Sequence, residues 1–196
     1  RVKVDLIDGK NVSNIWSETY DRDLTGKNIF ALQDEIIKKI INELVGAGAV
    51  LSKDINKKIA STSTSDISIY ECINFARGAV TPSLNPKAIE CLEKSIKKDP
   101  NYADAWIWLA DRKRAQHSSF SMTNEFKYML EEASKEIDRG LILDPEHAFG
   151  YSTKLQIQFY KNNWQEMFNV AEKAYSLAGE RPHLLGKIGY SLAYGG

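Results

Sequence analysis

The side chains that most often do chemistry are few and scattered along the 196 residues of the chain. The three histidines, His117, His147 and His183, lie in separate segments and lack the spacing of metal ligands. The segment Thr25–Lys27 reads Thr-Gly-Lys, but it lacks the upstream glycine of a phosphate-binding loop. The glycine-rich segment Gly46–Val50 follows a predicted helix rather than the strand of a dinucleotide-binding unit. We therefore predict no catalytic residue, no metal, no cofactor and no enzyme activity for this chain.

Composition restricts the partners and the compartment. The chain has 26 basic and 26 acidic residues, so it lacks the positive field that non-specific nucleic-acid binding requires. Its longest apolar run, Val45–Leu51, is far shorter than a membrane span. Two cysteines, Cys72 and Cys91, suit two buried, reduced thiols better than a disulfide framework. We predict a cytoplasmic protein with neither nucleic-acid nor membrane partners, and, because Arg1 already lies in a strand-like pattern, a fragment of a longer protein.

The first fifty residues predict a β-hairpin followed by a helix. Apolar residues alternate up to Asp8-Gly9, a strong turn signal, and a second strand-like run follows it. The segment Asn28–Val45 then carries apolar residues at helical spacing, with Asn28 as its cap and Gly46 and Gly48 after its end. The predicted face of this helix comprises Ile29, Gln33, Ile36, Ile40 and Leu44, broadened by Phe30, Ile37 and Ile41.

The rest of the chain contains an internal repeat. Ser95–Ala110 and Gly140–Leu155 share one plan: the end of a helix, an Asp-Pro break and the start of another helix. Pro100 and Pro145 are 45 residues apart, and removing about ten or eleven residues for the polar loop at Gln116–Glu125 leaves about 34, a helix–turn–helix repeat period. Small and apolar residues recur at matching positions: Ala88, Leu92 and Ser95; Ala133, Ile137 and Gly140; Met167, Ala171 and Ala174.

This pattern resembles the tetratricopeptide repeat family from Ile69 to the end of the chain. The segment "ADAWIWLA" places Trp106, Leu109 and Ala110 where the family has an aromatic residue, a leucine and a small residue. The resemblance implies a mostly α fold, an α–α superhelix of about three and a half helix pairs that is truncated in the fourth repeat. It also implies that Trp106 lies in the core. Three positions depart from the family pattern: Lys113, Lys154 and Gln158.

The amino-terminal part resembles a second family. The segments "WSETYDRDL" and "FALQDEI" are similar to the last hairpin and helix of the TolB amino-terminal-like α/β module. We therefore predict the carboxyl-terminal part of such a module at 1–48, a linker with a short helix at 49–68 and a repeat domain at 69–196. Proteins with this layout commonly resemble class III adenylate or guanylate cyclases, winged-helix regulators or Ser/Thr kinases, and we find no such part in this sequence.

The repeat resemblance implies a concave groove lined by the first helix of each pair. We expect a protein or peptide partner to bind there, which makes the chain a non-catalytic scaffold. Two other functions remain open: the regulatory region of a cyclase-like enzyme whose catalytic domain lies upstream, and self-association through the hairpin edge or the unpaired helix Pro182–Tyr194. The predicted groove residues are Arg77, Ile107, Asp111, Arg114, Gln156 and Tyr160.

Overall fold

The computed structural model describes residues 1–9, 12–21, 33–34, 36–40, 67–79, 81–116 and 123–195. The chain divides into two compact units, residues 1–62 and 63–196. The division falls within the predicted linker 49–68, of which residues 49–66 lie outside the described part. Among the described residues, no helix is both long enough and apolar enough to cross a membrane.

The first unit contains the predicted hairpin. Strand β1 (Val2–Ile7) pairs antiparallel with β2 (Asn14–Tyr20). The connection closes where the Asp8 N–H donates to the Ser13 carbonyl at 2.9 Å. The hairpin prediction is therefore confirmed.

The helix after the hairpin is confirmed where the structure describes it, at residues 33–34 and 36–40, while both ends of Asn28–Val45 lie outside the described residues. Ile36 is buried with Tyr20, and Val4 and Ile40 pack against them. Ile37 is about half exposed, so it does not broaden the buried face as predicted. Gln33, which was predicted on the same face, is exposed, whereas Ile29, Phe30, Ile41 and Leu44 lie outside the described residues.

The second unit is helical throughout its described elements. Its helices are α1 (Ile69–Gly78), α2 (Asn85–Lys98), α3 (Ala103–Ala115), α4 (Asn124–Leu143), α5 (Ala148–Tyr160), α6 (Trp164–Ala178) and α7 (Pro182–Gly195). Consecutive helices pack together, and odd-numbered helices also contact the next odd-numbered one, α1 with α3, α3 with α5 and α5 with α7. The odd-numbered helices therefore form one layer.

The helix boundaries follow from local chemistry. Ser68 caps α1 through a reciprocal capping box with Glu71. The predicted breaks are confirmed, since α2 and α4 end immediately before Asp99 and Asp144. The Asn85-Pro86 pair in the sequence predicts a capping side chain followed by a proline at the first helical position, but Asn85 does not cap α2. Its buried side-chain amide instead donates to the Arg112 carbonyl of α3 at 2.8 Å, because the helix already begins at Asn85.

The core lies between the helix pairs. The small and apolar positions that recur in the three repeats are buried, as expected. Gly140 of α4 lies so close to α3 that a Cβ there would be 2.5 Å from Cγ1 of Ile107. Trp106, expected in the core, is only half-buried, and its indole N–H donates to the Pro100 carbonyl at 2.9 Å. The close approach at Gly140 places Ile107 in the core instead.

The two cysteines are bonded to each other. Cys72 of α1 and Cys91 of α2 form a disulfide, and both are almost completely buried. Their burial was expected, but the expectation of two separate thiols is wrong. Antiparallel packing of α1 and α2 brings their Cα atoms to 5.6 Å, a separation that a disulfide readily bridges.

Candidate functional site

Four side chains, one from each odd-numbered helix, form a row that we call the aromatic–cation row. It consists of Arg77 of α1, Trp108 of α3, Phe149 of α5 and Lys187 of α7. The Arg77 guanidinium carbon lies 5.6 Å from the Trp108 ring centroid. The Trp108 and Phe149 rings stack with centroids 4.2 Å apart. The Lys187 ammonium nitrogen lies 4.4 Å from the Phe149 ring centroid. The row therefore crosses the whole layer of odd-numbered helices.

The two aromatic rings are partly open to solvent. Trp108 and Phe149 are half-buried, whereas Ile107 and Leu109, the neighbours of Trp108, are fully buried. Successive helical residues point in different directions, so α3 buries those neighbours and leaves part of Trp108 accessible, although its Nε1 atom is buried without a partner among the described residues. Trp and Arg are enriched among the residues that dominate the binding energy of protein–protein interfaces. This part of the row can therefore offer apolar contact area to a partner.

A buried carboxylate connects α3 to α7. Asp111 is fully buried and accepts hydrogen bonds from Arg112 and, at 2.8 Å, from Arg114. The Lys187 ammonium reaches the same carboxylate from α7 at 3.5 Å. Burial alone would raise the pKa of Asp111, but the three cations lower it well below its usual range. Asp111 is therefore ionised and fixes the cations around it.

The surroundings of Lys187 are less favourable to its charge. Burial lowers the pKa of Lys187, and although Asp111 opposes this effect, Arg114 and Arg112 add to it by repulsion. Three cations thus share one carboxylate. The Nε atoms of Arg112 and Arg114 are also buried without a hydrogen-bond partner in the described part of the chain. The cluster holds more positive charge and more N–H donors than its own residues satisfy.

A histidine connects the starts of α3 and α5. The Nδ1 atom of His147 accepts from the Gly150 N–H at 3.0 Å and so caps α5. Its Nε2 atom therefore carries the proton and donates to Asp104 at 2.7 Å. This hydrogen bond, opposed by burial and assisted by Arg77, lowers the pKa of Asp104. Both ring nitrogens are occupied, so the pair positions helices and offers no general base.

The structure separates the predicted groove residues. Arg77 belongs to the row, and Arg114 lies beside its Lys187 end. Ile107 is fully buried in the core with Ile137 and Ile157, so it cannot face a groove. The register of α3 differs from the one that the repeat resemblance implies. Ile107 fills the space beside Gly140 in the core, and the next residue, Trp108, is left partly exposed.

The other predicted groove residues have different surroundings. Asp111 lies beneath the surface rather than on it. Gln156 is half-buried, with its Oε1 atom lacking a partner among the described residues. Tyr160 packs edge-to-face on Phe126 and Phe159. Among the described residues no contact brings Tyr160 to the row, so we do not include it in the candidate site.

Sequence reasoning missed three members of the site, Trp108, Phe149 and Lys187. Trp108 carried a signal, because its spacing of two from Trp106 required the two indoles to point in different directions. Lys187 contacts a residue 76 positions earlier in the chain, and no local pattern shows such a contact. In the described part of the chain, no group of three or more His, Cys, Asp or Glu side chains could hold a metal ion. His117 lies outside that part, and His183 is exposed.

Comparison with known proteins gives one short similarity. No protein-family model matches the chain. A segment of 44 residues is 43% identical to "Putative adenylate cyclase 3" of Rhizobium meliloti (strain 1021). The similarity covers 22% of this chain and 7% of that protein, so the chain is similar to a small part of this relative.

Proposed function

We propose that residues 69–196 form a superhelix of tetratricopeptide repeats that acts as a non-catalytic scaffold and binds a protein segment on its odd-numbered helices. The packing of consecutive helices in pairs, with contacts from each odd-numbered helix to the next, supports this architecture. The aromatic–cation row is the observation that carries the binding role, because it places partly exposed aromatic and charged groups from all four helices on one surface.

The test compares two charge reversals. Arg77→Glu changes a side chain of the row that is 43% exposed, and Lys135→Glu changes one that is 74% exposed on the even-numbered helix α4. We expect a partner to be retained from a lysate by immobilised wild type and by Lys135→Glu, and to be lost by Arg77→Glu. Circular dichroism melts check that both variants fold. Equal retention by both variants would refute binding on the row.

A second function is favoured by the short similarity to the cyclase-named protein. Here the chain would be the regulatory region of a multidomain adenylate or guanylate cyclase-like enzyme, and residues 1–48 the end of a TolB amino-terminal-like module. The experiment is to place the Arg77→Glu change in the full-length parent and to measure cyclase activity. Changed activity with unchanged protein abundance would support this role, and an inactive parent or an unaffected rate would contradict it.

Self-association is the third alternative. Within the described residues the sheet has two strands, and α7 exposes Tyr190 and Tyr194. Light scattering across a concentration series separates a homodimer from a scaffold that binds other proteins. A mass that stays monomeric at high concentration would exclude this alternative.

A further inference from the structure

The aromatic–cation row and its supporting residues carry an excess of positive charge. The cations are Arg77, Arg112, Arg114 and Lys187, and the carboxylates are Asp104 and Asp111. His147 adds no charge, because its Nδ1 atom acts as a hydrogen-bond acceptor. The whole chain has equal numbers of basic and acidic residues, so this local excess does not follow from its overall composition.

The two carboxylates are already occupied by internal partners. One oxygen of Asp111 accepts from Arg114 and lies near Lys187, while its other oxygen accepts from Arg112. Asp104 accepts from His147 and lies 3.8 Å from Arg77. Both carboxylates are thus engaged, and their two negative charges stand against four positive ones. The unmatched positive charge therefore remains available to an external anion.

The accessible cations lie at the two ends of the row. The side chain of Arg77 is 43% exposed and that of Lys187 is 27% exposed, whereas those of Arg112 and Arg114 are almost buried. Trp108 and Phe149 stack face to face between these ends, with Arg77 and Lys187 over their other faces, so the half-buried pair offers its ring edges as apolar contact area. Lys187 lies 3.5 Å from Asp111, a long contact for a charged hydrogen bond, so its ammonium has donors left for another acceptor.

We propose that this surface binds an acidic peptide segment, with one carboxylate at Arg77, another at Lys187 and the intervening chain across Trp108 and Phe149. Successive groups of the row are 4.2 to 5.6 Å apart, and an extended chain advances about 3.3 Å per residue, so the segment needs only a few residues between its two carboxylates. The proposal rests on the proposed scaffold function and specifies the chemistry of its partner.

The test uses a defined probe, a fluorescein-labelled peptide of eight glutamates with an amidated carboxyl terminus. Fluorescence anisotropy at low ionic strength measures its binding to the full chain. We expect Lys187→Met and Arg77→Met each to weaken binding by about tenfold, since each removes one charged pair. Lys135→Met on α4 is the matched control and should bind like wild type. A peptide of eight glutamines should not bind.

Three results would overturn the proposal: no binding of the glutamate peptide by wild type, equal losses in Lys135→Met and Lys187→Met, or equal binding of the glutamine peptide. Complete displacement by inorganic phosphate at a concentration equal to that of the peptide would also overturn it in favour of a small-anion site. Two variants at opposite ends keep the test valid if one of them fails to fold. If the glutamate peptide fails but Arg77→Glu still abolishes capture of a partner, the scaffold function stands and only its acidic specificity is wrong.

Discussion

The indole of Trp108 stacks on the phenyl ring of Phe149, with their centroids 4.2 Å apart and their planes inclined by 20°. The contact joins α3 to α5, two helices that are separated along the chain by the 20-residue α4. It therefore couples neighbouring helix pairs. The recurring small and apolar residues of the sequence, by contrast, mainly predict contacts within one pair. A surface that binds a partner across several helices depends on such contacts for its shape.

We expect the Trp108–Phe149 contact to contribute about 1 kcal/mol beyond simple burial, as stacked aromatic pairs do. A double-mutant cycle with Trp108→Leu and Phe149→Leu, measured by urea unfolding, isolates this coupling energy. A second cycle pairs Trp108→Leu with Tyr175→Leu, which changes an exposed ring on α6, and should be additive. Additivity in the first cycle as well would show that the stacked pair does not couple the helices.

Two glycines give opposite predictions for the same substitution. At Gly140 of α4 a Cβ would lie 2.5 Å from Cγ1 and 3.3 Å from the backbone nitrogen of Ile107. Gly140→Ala must therefore displace the buried Ile107 side chain or move α4 away from α3, and we expect it to lower the free energy of unfolding by about 1–3 kcal/mol. Gly189 is exposed in α7 with open space around it, so Gly189→Ala should raise that free energy by up to about 1 kcal/mol. Thermal melts of both variants provide the measurement, and a stabilised Gly140→Ala would contradict the close packing of α3 and α4.

The elements of the fold could be predicted because their signals are local. The Asp-Pro breaks, the Asp8-Gly9 turn and the periodic small residues each act within a few residues, and the structure confirms the boundaries that they predict. The register of α3 was harder, because Trp106 and Ile107 are both apolar and adjacent. Contacts with other helices, such as the close approach of Gly140 and Gly150 to Ile107, decide which of them enters the core.

The site itself could be predicted only in part. Arg77 and Arg114 are basic residues on the first helices of their helix pairs. The resemblance to tetratricopeptide repeats, which places first helices along the groove, is therefore enough to select them. The contact of Lys187 with Asp111 and the stacking of Phe149 on Trp108 depend on how helix pairs are placed in space. The disulfide was missed for a similar reason. Cys72 and Cys91 are 19 residues apart, and only the antiparallel packing of α1 and α2 brings them together.

The Cys72–Cys91 disulfide closes a loop of 19 residues between α1 and α2. Chain-entropy arguments give about 3 kcal/mol of stabilisation for a loop of this size. We expect a reducing agent to lower the free energy of unfolding of wild type by about that amount. The Cys72→Ala/Cys91→Ala variant should be less stable and insensitive to the reducing agent.

The same bond tests the compartment, because disulfides persist in oxidising environments and are rare in the cytosol. Alkylation of protein taken directly from cells counts the free thiols. Two free thiols would agree with the cytoplasmic location expected from the sequence, and none would contradict it. Unchanged stability of wild type under reduction would instead show that the bond does not constrain the unfolded chain.

Glu136 of α4 gives a pH-dependent prediction away from the aromatic–cation row. Burial raises the pKa of Glu136 to about 7, although Lys113 of α3 lies 2.5 Å from its Oε1 atom. Glu132 adds to this increase by repulsion, as does Glu93 of α2. The ordinary pKa of a glutamate is about 4.3, so between that value and about 7 the folded state binds more protons than the unfolded state. The free energy of unfolding must therefore fall as the pH rises through this window.

The isosteric variant Glu136→Gln cannot titrate at this position, so it should not show this fall in the free energy of unfolding with rising pH. We expect the stability of wild type relative to Glu136→Gln to decrease by on the order of 2 kcal/mol between pH 5 and pH 8, measured by urea unfolding at each pH. Glu132→Gln removes a carboxylate from the same helix but leaves Glu136 in place, so it should keep most of this loss and reduce it only by the repulsion that Glu132 adds. If wild type and Glu136→Gln show parallel pH profiles, the Lys113 ion pair outweighs burial and Glu136 remains charged throughout this range.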